Sequence, residues 1–174
     1  MKELGFIILI AFNLLFVQAQ ENYPSPSDKT DVLFYIQHNQ GKNTFIYALN
    51  KNNKGEIDYN NPIQVYRQLF DKNGEVRPLT GIQKTFAYGI NVKKLSGDKY
   101  EANIVSIPDQ KLYLHLPKSG TPFILTKVNG QYIRLNRIFI KIKDGTSGLS
   151  TKLDYILYFG QSNGKNQTLK QEMP

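Results

Sequence analysis

Residues 123–143 read FILTKVNGQYIRLNRIFIKIK, and this stretch decides the fold. Asn129-Gly130 stands between two apolar runs, the strongest short-range hairpin signal, because both residues accept the positive φ of a tight turn. The second run, 132–143, changes phase along its length. Ile133 and Leu135 are odd-numbered, whereas Ile138, Ile140 and Ile142 are even. A strand alternates faces with period two, so one extra residue near Asn136-Arg137, a β-bulge, is needed to keep both sets facing inward. Arg134, Arg137, Lys141 and Lys143 then share the outer face, with Tyr132 and Phe139 beside them and Lys127 across the hairpin. Both arginines are expected to project into solvent.

The same grammar of short apolar runs closed by Gly, Pro, Asn or Asp extends through the chain. Runs at 32–36 and 45–49 flank Asn39-Gln40-Gly41 as a hairpin. A strand at 63–70 ends at Asp71-Lys72-Asn73-Gly74. Runs at 100–107, 112–116 and 123–128 are expected to turn at Pro108-Asp109 and Lys118-Ser119-Gly120, and runs at 153–159 and 167–172 complete the set. One short helix is expected at 80–88, with Thr80 as its cap, Gly89 as its stop, and Leu79, Ile82 and Phe86 on one apolar face. The fold class is all-β, mainly antiparallel. It is one domain of about nine or ten strands, either a β-sandwich or a small barrel.

Composition narrows the function. The 174 residues hold 22 Lys and Arg against 14 Asp and Glu, a net charge of +8, with two His and no Cys. The missing Cys excludes a disulfide scaffold, a thiol nucleophile, a cysteine-type zinc site and a lipid-modified amino-terminal Cys. Residues 1–19 read as a signal peptide. Lys2 precedes an apolar run from 4 to 17, and Val17-Gln18-Ala19 supplies a cleavage site. That run is shorter than the roughly 20 apolar residues of a spanning helix, so no transmembrane segment is expected after cleavage. The expected location is periplasmic or secreted. Residues 20–30 (QENYPSPSDKT) read as an extended linker, a plain tether in preference to the polyproline recognition motif that Pro24-x-Pro26 imitates, and 31–172 as a single β-rich domain.

Several segments together resemble a known family. They are Leu33-Phe34-Tyr35-Ile36-Gln37, the Asn-Pro-Ile-x-Val-Tyr segment at 61–66, Ala-Tyr-Gly-Ile at 87–90, Val128-Asn129-Gly130 followed by Leu135 and Ile138, and Tyr155-Ile156 with Phe159-Gly160. In this order they resemble a family of small exported bacterial proteins defined as a domain of unknown function, numbered four-eight-three-three. The chain departs from that pattern at His38, where Arg is expected, and at Arg67, where Trp is expected. The resemblance implies a domain boundary and an exported location, and brings no activity.

Individual chemistries are then weighed residue by residue. Segment 50–61 imitates a calcium loop, but its fifth position is Lys54 and its twelfth is Asn61, where the ion needs carboxylates, so it reads as a hairpin connection. Neither His38 nor His115 stands in a recognisable catalytic arrangement, and His115 falls on the face opposite Leu112, Leu114 and Leu116. Asp154 and Glu101, within strands, are the acids least readily assigned to turns. Motifs for nucleophile elbows, zinc peptidases, dinucleotides and phosphate loops are absent, so no cofactor and no metal are expected. The basic stripe is the best physical lead, since cations beside aromatic rings can hold phosphate, sulfate or uronate groups. The expectation is an exported, non-catalytic binding or envelope-associated protein. Its partner would be an anionic envelope polymer or lipid surface, with no nucleic acid. The alternative is a hydrolase of envelope carbohydrate or lipid, whose catalytic residues the sequence leaves unknown.

Overall fold

The computed structural model describes residues 23–173, so the proposed signal peptide at 1–19 lies outside the described residues. The strands are β1 (Val32–His38), β2 (Thr44–Leu49), β3 (Ile63–Leu69), β4 (Glu75–Pro78), β5 (Ile90–Lys94), β6 (Lys99–Ile104), β7 (Ile107–His115), β8 (Phe123–Val128), β9 (Gln131–Ile142), β10 (Leu153–Ser162) and β11 (Lys165–Glu172). One short helix, α1 (Gly81–Phe86), joins β4 to β5. All eleven strands belong to one sheet curled into a half-barrel. The fold is thus all-β and single-domain, and of sandwich and barrel it takes the barrel side.

β9 organises the sheet. Its first half pairs with β8 at 131–135, and its second half pairs in parallel with β1 at 137–140. β10 runs antiparallel along its other edge. The handover from β8 to β1 falls at the bulge. Phe159 faces Arg137 while Gly160 faces Leu135, so Asn136 is the extra residue. Ile133 and Leu135 before it, and Ile138, Ile140 and Ile142 after it, are all buried in one core, as the phase change requires. Gly160 is needed there, because a Cβ would lie 2.1 Å from the Arg134 carbonyl oxygen.

Two arms therefore leave β9, β1-β2-β3-β4 on one side of the bulge and β8-β7-β6-β5 on the other. They curl until β3 and β5 touch. The core between them is built from alternate positions, including Phe34, Ile36, Phe45, Tyr47, Tyr100, Leu112, Leu114 and Tyr158. The Asn129-Gly130 hairpin has both residues at positive φ, as its sequence predicts.

The structure differs from the sequence reading at four elements. β7 begins at Ile107 and runs through Pro108-Asp109, which were expected to turn; the reversal is at Val105-Ser106. Among the described residues no ladder partner faces Pro108, so its missing N–H costs nothing there. α1 is shorter than 80–88. Thr80 does cap it, in a reciprocal capping box with Gln83, but Ile82 and Phe86 are exposed rather than buried. β4 and β5 are strands where none was expected, since exposed polar residues there hide the alternation.

Residues 23–30, expected as an extended linker, run without regular structure and lie on the sheet. Phe139, Gln37, Thr44 and Gln68 form a row of outer-face residues across β9, β1, β2 and β3. The strap follows that row. Tyr23 packs edge-on to Phe139, with ring centroids 5.0 Å apart. Gln37 Nε2 donates to the Pro24 carbonyl at 2.8 Å, Pro26 is buried, and Ser27 N–H donates to Gln68 Oε1 at 3.2 Å. Four strands about 4.8 Å apart span roughly the reach of five extended residues. Proline cannot add to a ladder, and here the glutamine side chains supply a donor (Gln37) and an acceptor (Gln68) to the strap backbone in place of a neighbouring strand.

Candidate functional site: the outer face of β9

The bulge sets this site. On the outer face of β9 it places Arg134, Arg137, Phe139 and Lys141 in register with Gln161, Phe159, Leu157 and Tyr155 of β10. The two arginines are half-buried, not projecting freely as expected. Arg134 Cζ lies 4.7 Å from the centre of the Phe123 ring, and that ring stacks on His115 at 4.9 Å with planes 2° apart. Arg137 Cζ lies 4.0 Å over the Phe159 ring. Burial lowers the Arg137 pKa, opposed by Tyr35 through charge and a hydrogen bond. Among the described residues neither guanidinium forms an ion pair with a carboxylate.

The lysines of the stripe behave differently. Lys141 is held by Asp144 at 3.1 Å, so its charge is partly neutralised. Lys143 is exposed just beyond the end of β9. Lys127 faces Tyr132 across the hairpin, as expected, with its Nζ 5.4 Å from the ring centre. Phe139 is half-buried and packed against the edge of Tyr23. The face therefore divides into two aromatic-backed guanidiniums and a separate, partly paired lysine end.

Phe123, His115, Phe159 and Tyr35 were not singled out from sequence as members of this face. Counting back from Asn129-Gly130 gives the Leu125–Arg134 pair and brings Phe123 near Arg134, so that part had a signal. Phe159 and Tyr35 depend on the β9–β10 and parallel β1–β9 registers, which no local pattern encodes.

The residues weighed for hydrolysis are dispersed. His38 lies on the inner face of β1, stacked near Phe45 and Tyr88. Its Nδ1 accepts from the Gln40 N–H at 3.2 Å, and burial lowers its pKa below the usual 6.5. His115 is on the outer face, as expected, and its pKa is lowered by burial and then by Lys99. Glu101 is bound to Lys111 at 2.9 Å. Asp154 sits at an irregularity opening β10 and is exposed. In the calcium-like loop, Asn52 Oδ1 and Asp58 Oδ1 accept backbone N–H groups of the loop itself, the Asx geometry of a tight connection.

Among the described residues no helix is long and apolar enough to cross a membrane. Residues 34–172 match the family model described as Domain of unknown function (DUF4833). No curated protein and no solved structure matches the chain.

Proposed function

The chain belongs to the DUF4833 family, and we propose that this member is an exported, non-catalytic binding protein of the bacterial envelope, periplasmic or secreted. Its outer β9 face would hold an anionic envelope polymer. Export rests on the 1–19 segment. Binding rests on one observation: the guanidinium carbons of Arg134 and Arg137 each lie over a phenylalanine ring, at 4.7 and 4.0 Å from its centre, with no carboxylate partner among the described residues. An aromatic backing fixes the guanidinium plane and reduces the side-chain freedom lost when a phosphate or sulfate is gripped. The planar fork presents several donors to such an oxyanion, whereas a lysine acts as a point charge. The hydrolase reading finds no comparable support, because His38 and His115 lie on opposite faces and Glu101 is engaged by Lys111.

The test is retention on a phosphorylated polymer at low and moderate salt, with thermal unfolding alongside. Arg134→Ser is expected to reduce retention while leaving the melting temperature nearly unchanged, and Arg134→Ser with Arg137→Ser to abolish it. Retention equal to wild type in the double variant would remove the proposal.

A further inference from the structure

The two arms meet at a seam that has the chemistry of a strand-binding slot. β4 pairs with β3 only opposite Tyr66–Leu69, so among the described residues Ile63, Gln64 and Val65 have β2 on one edge and no strand on the other. β5 pairs only with β6. Ladder parity gives the direction of the free groups. The Asn50 N–H donates to the Pro62 carbonyl, so Pro62 and Gln64 turn toward β2, and Ile63 and Val65 turn away from it. The Val105 N–H donates to the Gly89 carbonyl and the Leu95 N–H to the Lys99 carbonyl. Odd positions of β5 therefore turn to β6, and Ile90 and Val92 turn outward. Among the described residues, the main-chain groups of Ile63, Val65 and Ile90 have no hydrogen-bond partner across the seam.

Between these edges lies a cleft of about 400 Å³ lined by Ile63, Gln64, Val65, Lys84, Ile90 and Asn91 among others. We propose that it binds an extended acidic peptide as an added strand, one that completes the barrel between β3 and β5. Unpaired strand edges are templates for such pairing. Other parts of the sheet margin carry protection: β4 is four residues long and ends in Pro78, and Lys93 and Lys94 close the far end of β5. Direction is also compatible. β3 runs parallel to β1, and β5 runs parallel to β9, by counting antiparallel steps. Since β1 and β9 are parallel, one inserted strand is antiparallel to both edges at once.

The lining specifies the peptide. Ile63, Val65 and Ile90 belong to or pack on the core, whereas Gln64 and Asn91 are exposed. An inserted strand thus points alternate side chains at an aliphatic wall and at a polar rim where Lys84 has no ion pair among the described residues. The favoured pattern is apolar–acidic–apolar. Cα atoms of β3 and β5 approach within 8 Å at their nearest, less than the roughly 9.6 Å of two strand spacings. Binding therefore parts the two edges by at least about 1.6 Å where they are nearest.

The experiment uses protein recovered from the producing cell and a capped Thr-Val-Glu-Val-Thr peptide, read by residue-resolved hydrogen exchange. The expected result is about tenfold slower exchange at Ile63, Val65 and Ile90 near saturation. A peptide N-methylated at both valines should give none, and Lys84→Glu should reverse the preference in favour of Thr-Val-Lys-Val-Thr. No protection at millimolar peptide, protection confined to the outer edge of β4 or to β11, or equal binding of both charge types by wild type and Lys84→Glu would each overturn the proposal. None of these outcomes bears on the β9 face, so the two sites are judged separately.

Discussion

Arg134 and Arg137 carry the same charge in different settings, and their substitutions should separate accordingly. Arg137 is half-buried over Phe159 and tied to Tyr35, so its loss removes packing as well as charge. Arg137→Ser is expected to destabilise by about 1–2 kcal/mol and Arg134→Ser by under about 0.5 kcal/mol, measured by denaturant unfolding. His38 gives a prediction in pH. Its folded pKa is lowered below 6.5 by burial, so as pH falls through about 6.5 the unfolded chain takes up a proton that the folded chain does not. Stability contributed by the neutral imidazole is then present above that pH and declines below it, until the lowered folded pKa is passed. His38→Gln should flatten this decline in melting temperature between pH 7 and 5, relative to wild type. An unaltered slope would show that other groups carry it. The sequence alone placed His115 on its correct face, because Leu112, Leu114 and Leu116 alternate around it. It could not show that both arginines lie on rings, since Phe159 is brought to Arg137 only by a long-range register.

At the scale of elements, the β9 bulge is the joint of the fold, and it was legible because its signal is local: two runs of isoleucine and leucine out of phase by one residue. Deleting Asn136 should prevent folding, since it turns either Ile133 and Leu135 or Ile138, Ile140 and Ile142 toward the outer face. Asn136→Ser should be tolerated. Gly160→Ala should cost about 2–3 kcal/mol, because its new methyl would collide with the Arg134 main chain. Circular dichroism and thermal melts of the three variants check this ordering. The helix illustrates the opposite case. Its cap was legible in Thr80, but the direction of Ile82 and Phe86 was not. Apolar spacing over six residues does not say whether a neighbouring element is there to cover it, and both side chains are exposed. Turn signals at Pro108-Asp109 likewise failed because the absence of a ladder partner at Pro108 is a property of the sheet.

At the scale of the whole molecule, the Tyr23–Phe139 contact of the strap and the parallel β1–β9 pair bring together residues about a hundred positions apart, and neither leaves a local trace. A tether and a seated strap have the same composition; what distinguishes them is the row of Gln37, Thr44 and Gln68 beneath. Removing residues 23–30 would take away the partners of buried Gln37 and Gln68 and the ring packed on Phe139. The shortened chain should lose about 1–3 kcal/mol of stability, read from its unfolding midpoint. The central claim, that the outer β9 face grips anionic groups, is tested most directly by equilibrium binding to a phosphate-bearing polymer over a salt series. The logarithm of the binding constant should fall linearly with the logarithm of salt concentration, and Arg134→Ser should make that slope shallower by about one unit with no change in melting temperature. A slope identical to wild type, or binding insensitive to salt, would contradict the account.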